Sequence, residues 1–384
     1  MKKHFLLSPE ITFLNHGSFG ACPKIVFENY QHWQRQLENE PVQFITKIGI
    51  QALKESKLAF SKIINCEVDD FFYTPNPTTA INTVVNSLFL IKDDEILSTS
   101  LEYGAMDRTW NYYCQKTGAK YIRQEITLPI TSKKQLLVDF WKGYSAKTKV
   151  IFISHITSTT ALILPVKEII EKAKELGLIT IIDGAHVLGH IPLNLQELNP
   201  DFYTGAIHKW FLAPKGCSFL YVNKKFQNNV KPLIVSWGYE SDTPSHSQFL
   251  DYHEFNGTRD FSAYLTIPAI IEFRTKTKWE ELTKISKQLI LDWYPKFCEL
   301  LHTEPICPLT NEFLGQMCSI PIQTSNWVEL KETLFNKYKI EIPITKQGNN
   351  FFIRISIQPY TTNDELLYLY RTLKSLKEEG NLLL

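Results

Sequence analysis

Between residues 150 and 222, apolar runs of strand length alternate with segments of helical period. No other feature of this chain narrows its possible folds as much. Val150-Ile-Phe-Ile-Ser154 reads as a buried strand. Val166 to Leu176 keeps its apolar residues on one helical face and is closed by Gly177, which suits a left-handed stop. Ile179 to Ile182, Phe202 to Ile207 and Cys217 to Val222 are further strands. Strands alternating with helices predict an α/β fold with a mostly parallel sheet covered on both faces.

The flanking segments extend this pattern. The first twenty residues read as an extended arm ending in a glycine-bracketed turn, Asn15-His-Gly-Ser-Phe-Gly20. Pro23 to about Ile64 is helical with a break near Pro41, and Phe71 to Thr74 is a short strand. That strand runs through Pro75-Asn-Pro-Thr-Thr79 into a helix with Ile81, Val84, Val85 and Leu88 on one face. Glu95 to Thr99 and Lys120 to Arg123 are strand-like, with a helix from Ala105 to Thr117 between them. Beyond Phe261 a long helix is expected from Trp279 to Leu301, broken or bent near Pro295. Short strands follow at 318–322, 340–342 and 351–357, interleaved with two helices. The expected organisation is an arm at 1–20, a large α/β domain at 21–265 and a small α+β domain at 266–384.

Composition removes several function classes. The chain has 41 basic and 40 acidic residues among 384, with no long basic run, which argues against a nucleic-acid partner. Seven scattered cysteines without C-x-x-C spacing indicate neither a disulfide framework nor a zinc or other metal site. No signal h-region or membrane-length apolar segment occurs, so a cytoplasmic setting is expected.

Ligands of open parallel sheets sit beyond the carboxyl ends of the strands. Asp183-Gly-Ala-His186 and His208-Lys209-Trp210 both follow predicted strands, as do Ser154-His155 and the turn at 75–79. Taken singly, a lysine after a strand reads as a solvated residue and Asp-Gly as a turn. Together they place a carboxylate and an amine at adjacent strand ends. Pyridoxal 5′-phosphate chemistry needs such a pair: the amine forms a Schiff base, and the carboxylate keeps the ring nitrogen protonated. Asn76-Pro-Thr-Thr79 could offer a phosphate its backbone N–H groups, hydroxyls and helix dipole, or be a plain N-cap. Tyr103 could stack on an aromatic cofactor or be an ordinary half-buried tyrosine. Arg354, within an apolar strand, could grip a carboxylate or face water at a strand edge.

The order Asn15-His-Gly, Asn76-x-Thr-Thr, Glu102-Tyr-Gly-Ala, Ser154-His-Ile-Thr-Ser158, Asp183-Gly-Ala-His, His208-Lys-Trp, Ala213-Pro-Lys-Gly-Cys217, Asn256-Gly-Thr-Arg-Asp260 and Arg354-x-Ser resembles class V aminotransferases of fold type I. Within them it is similar to the isopenicillin N epimerase-like group, from residue 12 to about residue 365. The resemblance implies that Lys209 carries the Schiff base, with Asp183 on the pyridine nitrogen and Tyr103 stacked on the ring. It implies Thr78, Thr79 and His208 at the phosphate, and Ser158 and His186 near the phenolic oxygen and reacting carbon. Gly257 and Thr258 would reach the phosphate of a neighbouring subunit in a homodimer, while Arg354 would bind the substrate α-carboxylate. Asn15, His16 and Trp237 would border the substrate pocket.

These roles lead to a labilised bond at Cα of an amino acid; the resemblance implies epimerase or racemase chemistry as the next step, with C–S lysis or transamination as alternatives. Epimerisation needs a second acid, for which His186, His16 and Tyr360 are candidates. A C–S lyase would expel a sulfur substituent from Cβ. Desulfurases of this superfamily use a mobile cysteine shortly before the carboxylate-binding arginine, and Ile344-Thr-Lys-Gln-Gly-Asn-Asn350 has none. Transamination needs the same first steps. A reading from another class is a catalytically silent binding module on the same scaffold; retention of both Lys209 and Asp183 speaks against it.

Overall fold

A computed structural model describes residues 1–380 and 382–384. Its main sheet has seven strands: β1 (Phe71–Thr74), β2 (Glu95–Thr99), β3 (Lys120–Gln124), β4 (Thr148–Ser154), β5 (Ile179–Asp183), β6 (Phe202–Ala206) and β7 (Ser218–Val222). Their spatial order is β1-β7-β6-β5-β4-β2-β3. The neighbours from β6 through β3 are parallel, and β7 runs antiparallel to both β6 and β1.

Strand alternation explains why both faces are covered. Val150 and Phe152 of β4 join Ile181, Leu220 and Phe72 on one face, under the helices Pro77–Ser87 and Gly104–Thr117. Ile151 and Ile153 point the other way, into a larger core with Ile182, Phe219 and Phe60. Local chemistry sets the helix ends. Asn76 caps Pro77–Ser87 by accepting from Thr79 N, with Pro77 in the first turn. The helix Val166–Glu175 closes with Leu178 N donating to Ala173 O at 2.8 Å, around Gly177 at φ 69°.

A second sheet of three antiparallel strands follows: β8 (Met317–Ile322), β9 (Ile344–Gln347) and β10 (Asn350–Ser356), in the order β9-β10-β8. Thr12–Phe13 pairs with Ile340–Glu341, and Asn15 bridges Ser356, so the chain start lies along this second unit.

Several expectations need correction. Residues His16–Phe19 form a helical turn, closed by Gly20 N on His16 O at 2.8 Å, in place of the glycine-bracketed turn. Trp279–Leu301 is one 23-residue helix running through Pro295 without a break. Trp293, Tyr294 and Phe297 are buried beside the proline, and the Tyr294 hydroxyl donates to Ser319 O at 2.7 Å. Tertiary burial therefore outweighs the lost backbone hydrogen bond. The cysteine-free stretch 344–350 is mostly β9 and its turn into β10. Helices Lys133–Trp141, Gln248–Glu254 and Ile267–Lys276 were not anticipated.

Phe60 is fully buried, with ring centroids 5.5 Å from Phe71, 5.8 Å from Tyr73, 6.2 Å from Phe211 and 5.2 Å from Phe219. Phe60→Ala should cost about 3–5 kcal/mol, read as a lower denaturation midpoint in guanidinium chloride. An unchanged midpoint would mean that this aromatic cluster is not a keystone of the core.

Candidate active site

The carboxyl ends of β1, β2, β4, β5 and β6 share one edge. Thr74 and Ala206 both sit opposite Ser218, and Ser154 sits opposite Asp183. The Asp183 carboxylate is buried there and accepts the Ala185 N–H at 2.9 Å. Its other oxygen makes no hydrogen bond among the described residues. Desolvation raises its pKa, and nearby Lys209 opposes that rise.

Lys209 lies beyond β6. Its pKa is lowered to about 8, first by burial and then by the Arg354 charge, against the pull of Asp183. Its Nζ lies 3.2 Å from His186 Nε2, and the Trp210 indole N–H donates to His186 Nδ1 at 3.2 Å. Burial, followed by repulsion from Lys209 and Arg354, holds the His186 pKa well below the usual imidazole range.

The backbone carrying Lys209 is clasped from behind. His16 Nε2 contacts Lys209 O at 3.1 Å, and Tyr360 Oη lies 2.7 Å from His16 Nδ1. Donation by Nε2 to a carbonyl leaves Nδ1 to accept from the tyrosine. Gly20, at φ 73°, passes so close that a Cβ would sit 2.1 Å from His208 O. His16 was expected to border the substrate pocket and, with Tyr360, to offer a second acid. Both are instead fully occupied in holding this backbone segment.

Arg354 reaches the same edge from β10. It is 3 % exposed and has no carboxylate partner among the described residues. Nη1 donates to Ser158 O at 2.7 Å and Ser158 Oγ at 3.3 Å; Nη2 donates to Ser18 Oγ at 2.8 Å and Asn15 Oδ1 at 3.5 Å. Its Nε is buried without a partner. Burial lowers the guanidinium pKa to about 10, with Tyr103 close enough to oppose this. Tyr103 itself is half exposed at the start of Gly104–Thr117.

Asn76 Oδ1 engages both the Thr79 amide, at 2.8 Å, and the Thr79 hydroxyl, at 3.1 Å. The Thr78 amide and hydroxyl are left as donors at that helix start. His208 Nδ1 lies 2.9 Å from Cys217 O, so its Nε2 is the nitrogen available to a ligand. His155 turns away, its Nδ1 3.1 Å from the Tyr203 hydroxyl. Trp237, Gly257 and Thr258 lie elsewhere in the same chain, along a cavity of about 750 Å³ that does not include Lys209.

Two contributors escaped the sequence reading. Ser18 is an Arg354 partner. Glu102 is buried at the end of β2 and accepts from Thr99 Oγ1 at 2.6 Å, Ser154 Oγ at 2.5 Å and Ser154 N at 2.9 Å. Desolvation pushes its pKa up to about 7. Glu102 was visible beside Tyr103, but no sequence signal marks a carboxylate that folds back on its own sheet edge.

A family model described as aminotransferase class V matches residues 21–369. The chain is 29% identical to isopenicillin N epimerase of Streptomyces clavuligerus, over 97% of each chain. It is 25% identical to a probable chloroplastic L-cysteine desulfhydrase of Arabidopsis thaliana, over 97% of this chain and 84% of that one. Among solved structures it resembles an apo cysteine desulfurase from Thermococcus onnurineus NA1, with a TM-score of 0.84 at 17% identity, over 98% of this chain and 97% of that one. It also resembles C-DES with glycine covalently linked to its PLP cofactor, with a TM-score of 0.81 at 20% identity, over 97% and 99% of the two chains.

Pyridoxal 5′-phosphate is the cofactor these findings support, and the site fits it. A half-buried amine of lowered pKa faces the edge, a buried carboxylate keeps one oxygen free for a ring N–H, and Thr78 offers donors at a helix start.

Buried neutral rings make acid stability a test of this geometry. Burial lowers the pKa values of His16 and His190 to about 3 and that of His155 to about 4, whereas an unfolded histidine titrates near 6.5. The unfolded state therefore takes up more protons below pH 6.5, and stability falls as pH drops from there towards 4. At pH 5 each ring should cost roughly 2 kcal/mol relative to pH 8. Urea unfolding at the two pH values measures this, and equal stability would show that these rings are not held neutral.

Proposed function

This chain belongs to the class V aminotransferase family, and from that premise we propose that it acts at Cα of a free α-amino acid and eliminates a sulfur substituent from Cβ. The observation that carries the reading is Arg354: a buried guanidinium without a carboxylate partner, within electrostatic reach of Lys209. A substrate α-carboxylate supplies the missing counter-charge and an acceptor for the guanidinium fork. Bound pyridoxal 5′-phosphate supplies an aldehyde for an amine and a ring that withdraws electrons from Cα. Asp183 would hold a proton on the ring nitrogen. Lys209 Nζ, released from the cofactor, would take the proton from Cα. Thr78 and His208 would hold the phosphate, and Tyr103 would cover the ring.

Elimination needs one base at Cα. The proton taken from Cα would leave with the sulfur as the Cβ–S bond breaks, giving thiol and an enamine of the substrate that water would convert to pyruvate and ammonia. Epimerisation, which similarity to isopenicillin N epimerase favours, needs a proton returned to the opposite face. His16 and Tyr360 are committed to the Lys209 backbone, and His186 stands on the lysine itself. This supports elimination over epimerisation.

Incubating the holoenzyme with L-cysteine, L-cystine and S-substituted cysteines in deuterated water separates the outcomes. Pyruvate and ammonia in equal amounts with a sulfur product are expected. A D-amino acid carrying deuterium at Cα, with no sulfur product, would establish epimerisation instead; consumption of an added 2-oxo acid would establish transamination. Arg354→Ala should raise KM at least about tenfold while the visible absorption of the resting enzyme persists. Bleaching of that band would show that Arg354 serves the cofactor.

We further propose a homodimer in which Gly257, Thr258 and Trp237 complete the partner's site. Trp237 is 88% exposed and lines the large cavity, and Val235, two residues earlier, is 66% exposed. Apolar side chains grouped like this mark an interface. Sedimentation should give twice the chain mass, and Trp237→Glu should shift the protein towards monomer with loss of bound cofactor. Tight cofactor binding by a monomer would refute the shared site.

A further inference from the structure

We infer that Trp210 is a positioning residue: its indole fixes His186 as the Nε2-protonated tautomer, so that the imidazole donates to Lys209 Nζ and holds that amine as a free base. The inference rests on the reading of Lys209 as the cofactor-linking amine and adds what keeps it ready.

Two contacts carry it. The indole N–H can only donate, and it lies 3.2 Å from His186 Nδ1. Nδ1 therefore presents its lone pair, and the single proton of a neutral ring sits on Nε2. That nitrogen is 3.2 Å from Lys209 Nζ. An ammonium group has three donors and no lone pair, so it would set N–H against N–H. A neutral amine accepts from Nε2–H, and the pair is satisfied only in that state.

Trp210 is fixed on every side. It is fully buried, the His190 ring stacks on it at 4.0 Å and 26°, and Arg274 Nη1 donates to its carbonyl at 3.1 Å. His190 is pinned in turn: Nδ1 lies 2.9 Å from His186 O, and Nε2 accepts Gln316 N–H at 2.5 Å. The ring is thus held between the two residues it serves and the start of the second sheet. The charged and titratable groups facing the Lys209–His186 pair are Asp183 from β5, Arg354 from β10, His16 from the chain start and His190. Arg354 opposes a charge on Nζ and Asp183 favours one, so the balance is close enough for one hydrogen bond to move it.

The test uses the apoprotein and its uptake of cofactor. In ¹⁵N-histidine spectra of the apoprotein, the signals lost in His186→Gln should show an unprotonated Nδ1 and a protonated Nε2. The rate of pyridoxal 5′-phosphate capture against pH should have a midpoint reporting the neutral amine. Trp210→Phe should raise that midpoint by about one pH unit, the effect of losing one buried hydrogen bond. In the His186→Gln background, where an amide donates without help from the indole, Trp210→Phe should cause no further shift. Protonated Nδ1 in the unsubstituted apoprotein would overturn the proposal, as would an unchanged midpoint in folded Trp210→Phe or equal shifts in both backgrounds. Should Trp210→Phe fail to fold, the tautomer of the unsubstituted protein decides alone. Borohydride reduction and peptide mapping run alongside; a label on another lysine would refute the role of Lys209 rather than the tautomer.

Discussion

Lys209 arrives at the sheet edge with its Nζ 3.2 Å from an imidazole nitrogen, in a place where water is scarce and Arg354 repels a second positive charge. Asp183 pulls the other way, yet the amine pKa still falls to about 8, so desolvation outweighs the carboxylate. A depression of that size corresponds to roughly 3 kcal/mol in favour of the uncharged amine. The same environment raises the Asp183 pKa. A cationic ring nitrogen resolves that conflict by giving the carboxylate a partner, so two strained ionisation states are relieved by one ligand.

Holding the amine in place falls to parts of the chain far apart in sequence. The Lys209 carbonyl is tied to His16, His16 to Tyr360, and the Gly20 carbonyl to Lys215 Nζ at 2.9 Å. Gly20 is required because any larger residue would strike His208 O. The first twenty residues thus act as a brace behind the Lys209 segment and also supply Ser18 and Asn15 to Arg354. Closing such long loops is entropically costly. What offsets the cost is burial of the aromatic seam of Phe5, Trp279 and Tyr360, whose rings lie within 5.8 Å of Phe5.

Much of the sheet was legible because its strands are buried on both faces and announce themselves as short apolar runs. The shared edge followed from connection rules alone. What stayed hidden was whatever depends on tertiary contact. Ile344–Gln347 is only partly buried, so its strand carries no apolar run and reads as loop. Pro295 signals a break that burial of Trp293, Tyr294 and Phe297 overrides. His16 is polar and stands near a glycine, which suggests a ligand-facing residue, whereas its ring lies under the backbone of Lys209. A polar side chain's direction is set by what packs behind it, and one sequence does not contain that. Trp210 was quoted in the motif without a role for the same reason.

The hairpin formed by β9 and β10 bears on how sulfur would leave. It turns at Gly348 and Asn349, and the Gln347 amide donates to Ser100 O beside Glu102 and Tyr103. A persulfide route needs a thiol on a segment free to swing between the substrate and solvent. Here that position is a paired strand tethered to the large sheet, and its side chains include no thiol. Cys318, on the neighbouring strand, is fully buried with its pKa raised well above the usual thiol range, so it is no nucleophile either. In the proposed elimination the sulfur therefore departs directly from Cβ as thiol, and the chain's task ends at Cα. That economy fits a site in which His186 holds Lys209 Nζ and His16 and Tyr360 hold its backbone, while Arg354 would take the substrate carboxylate and Asp183 the ring nitrogen.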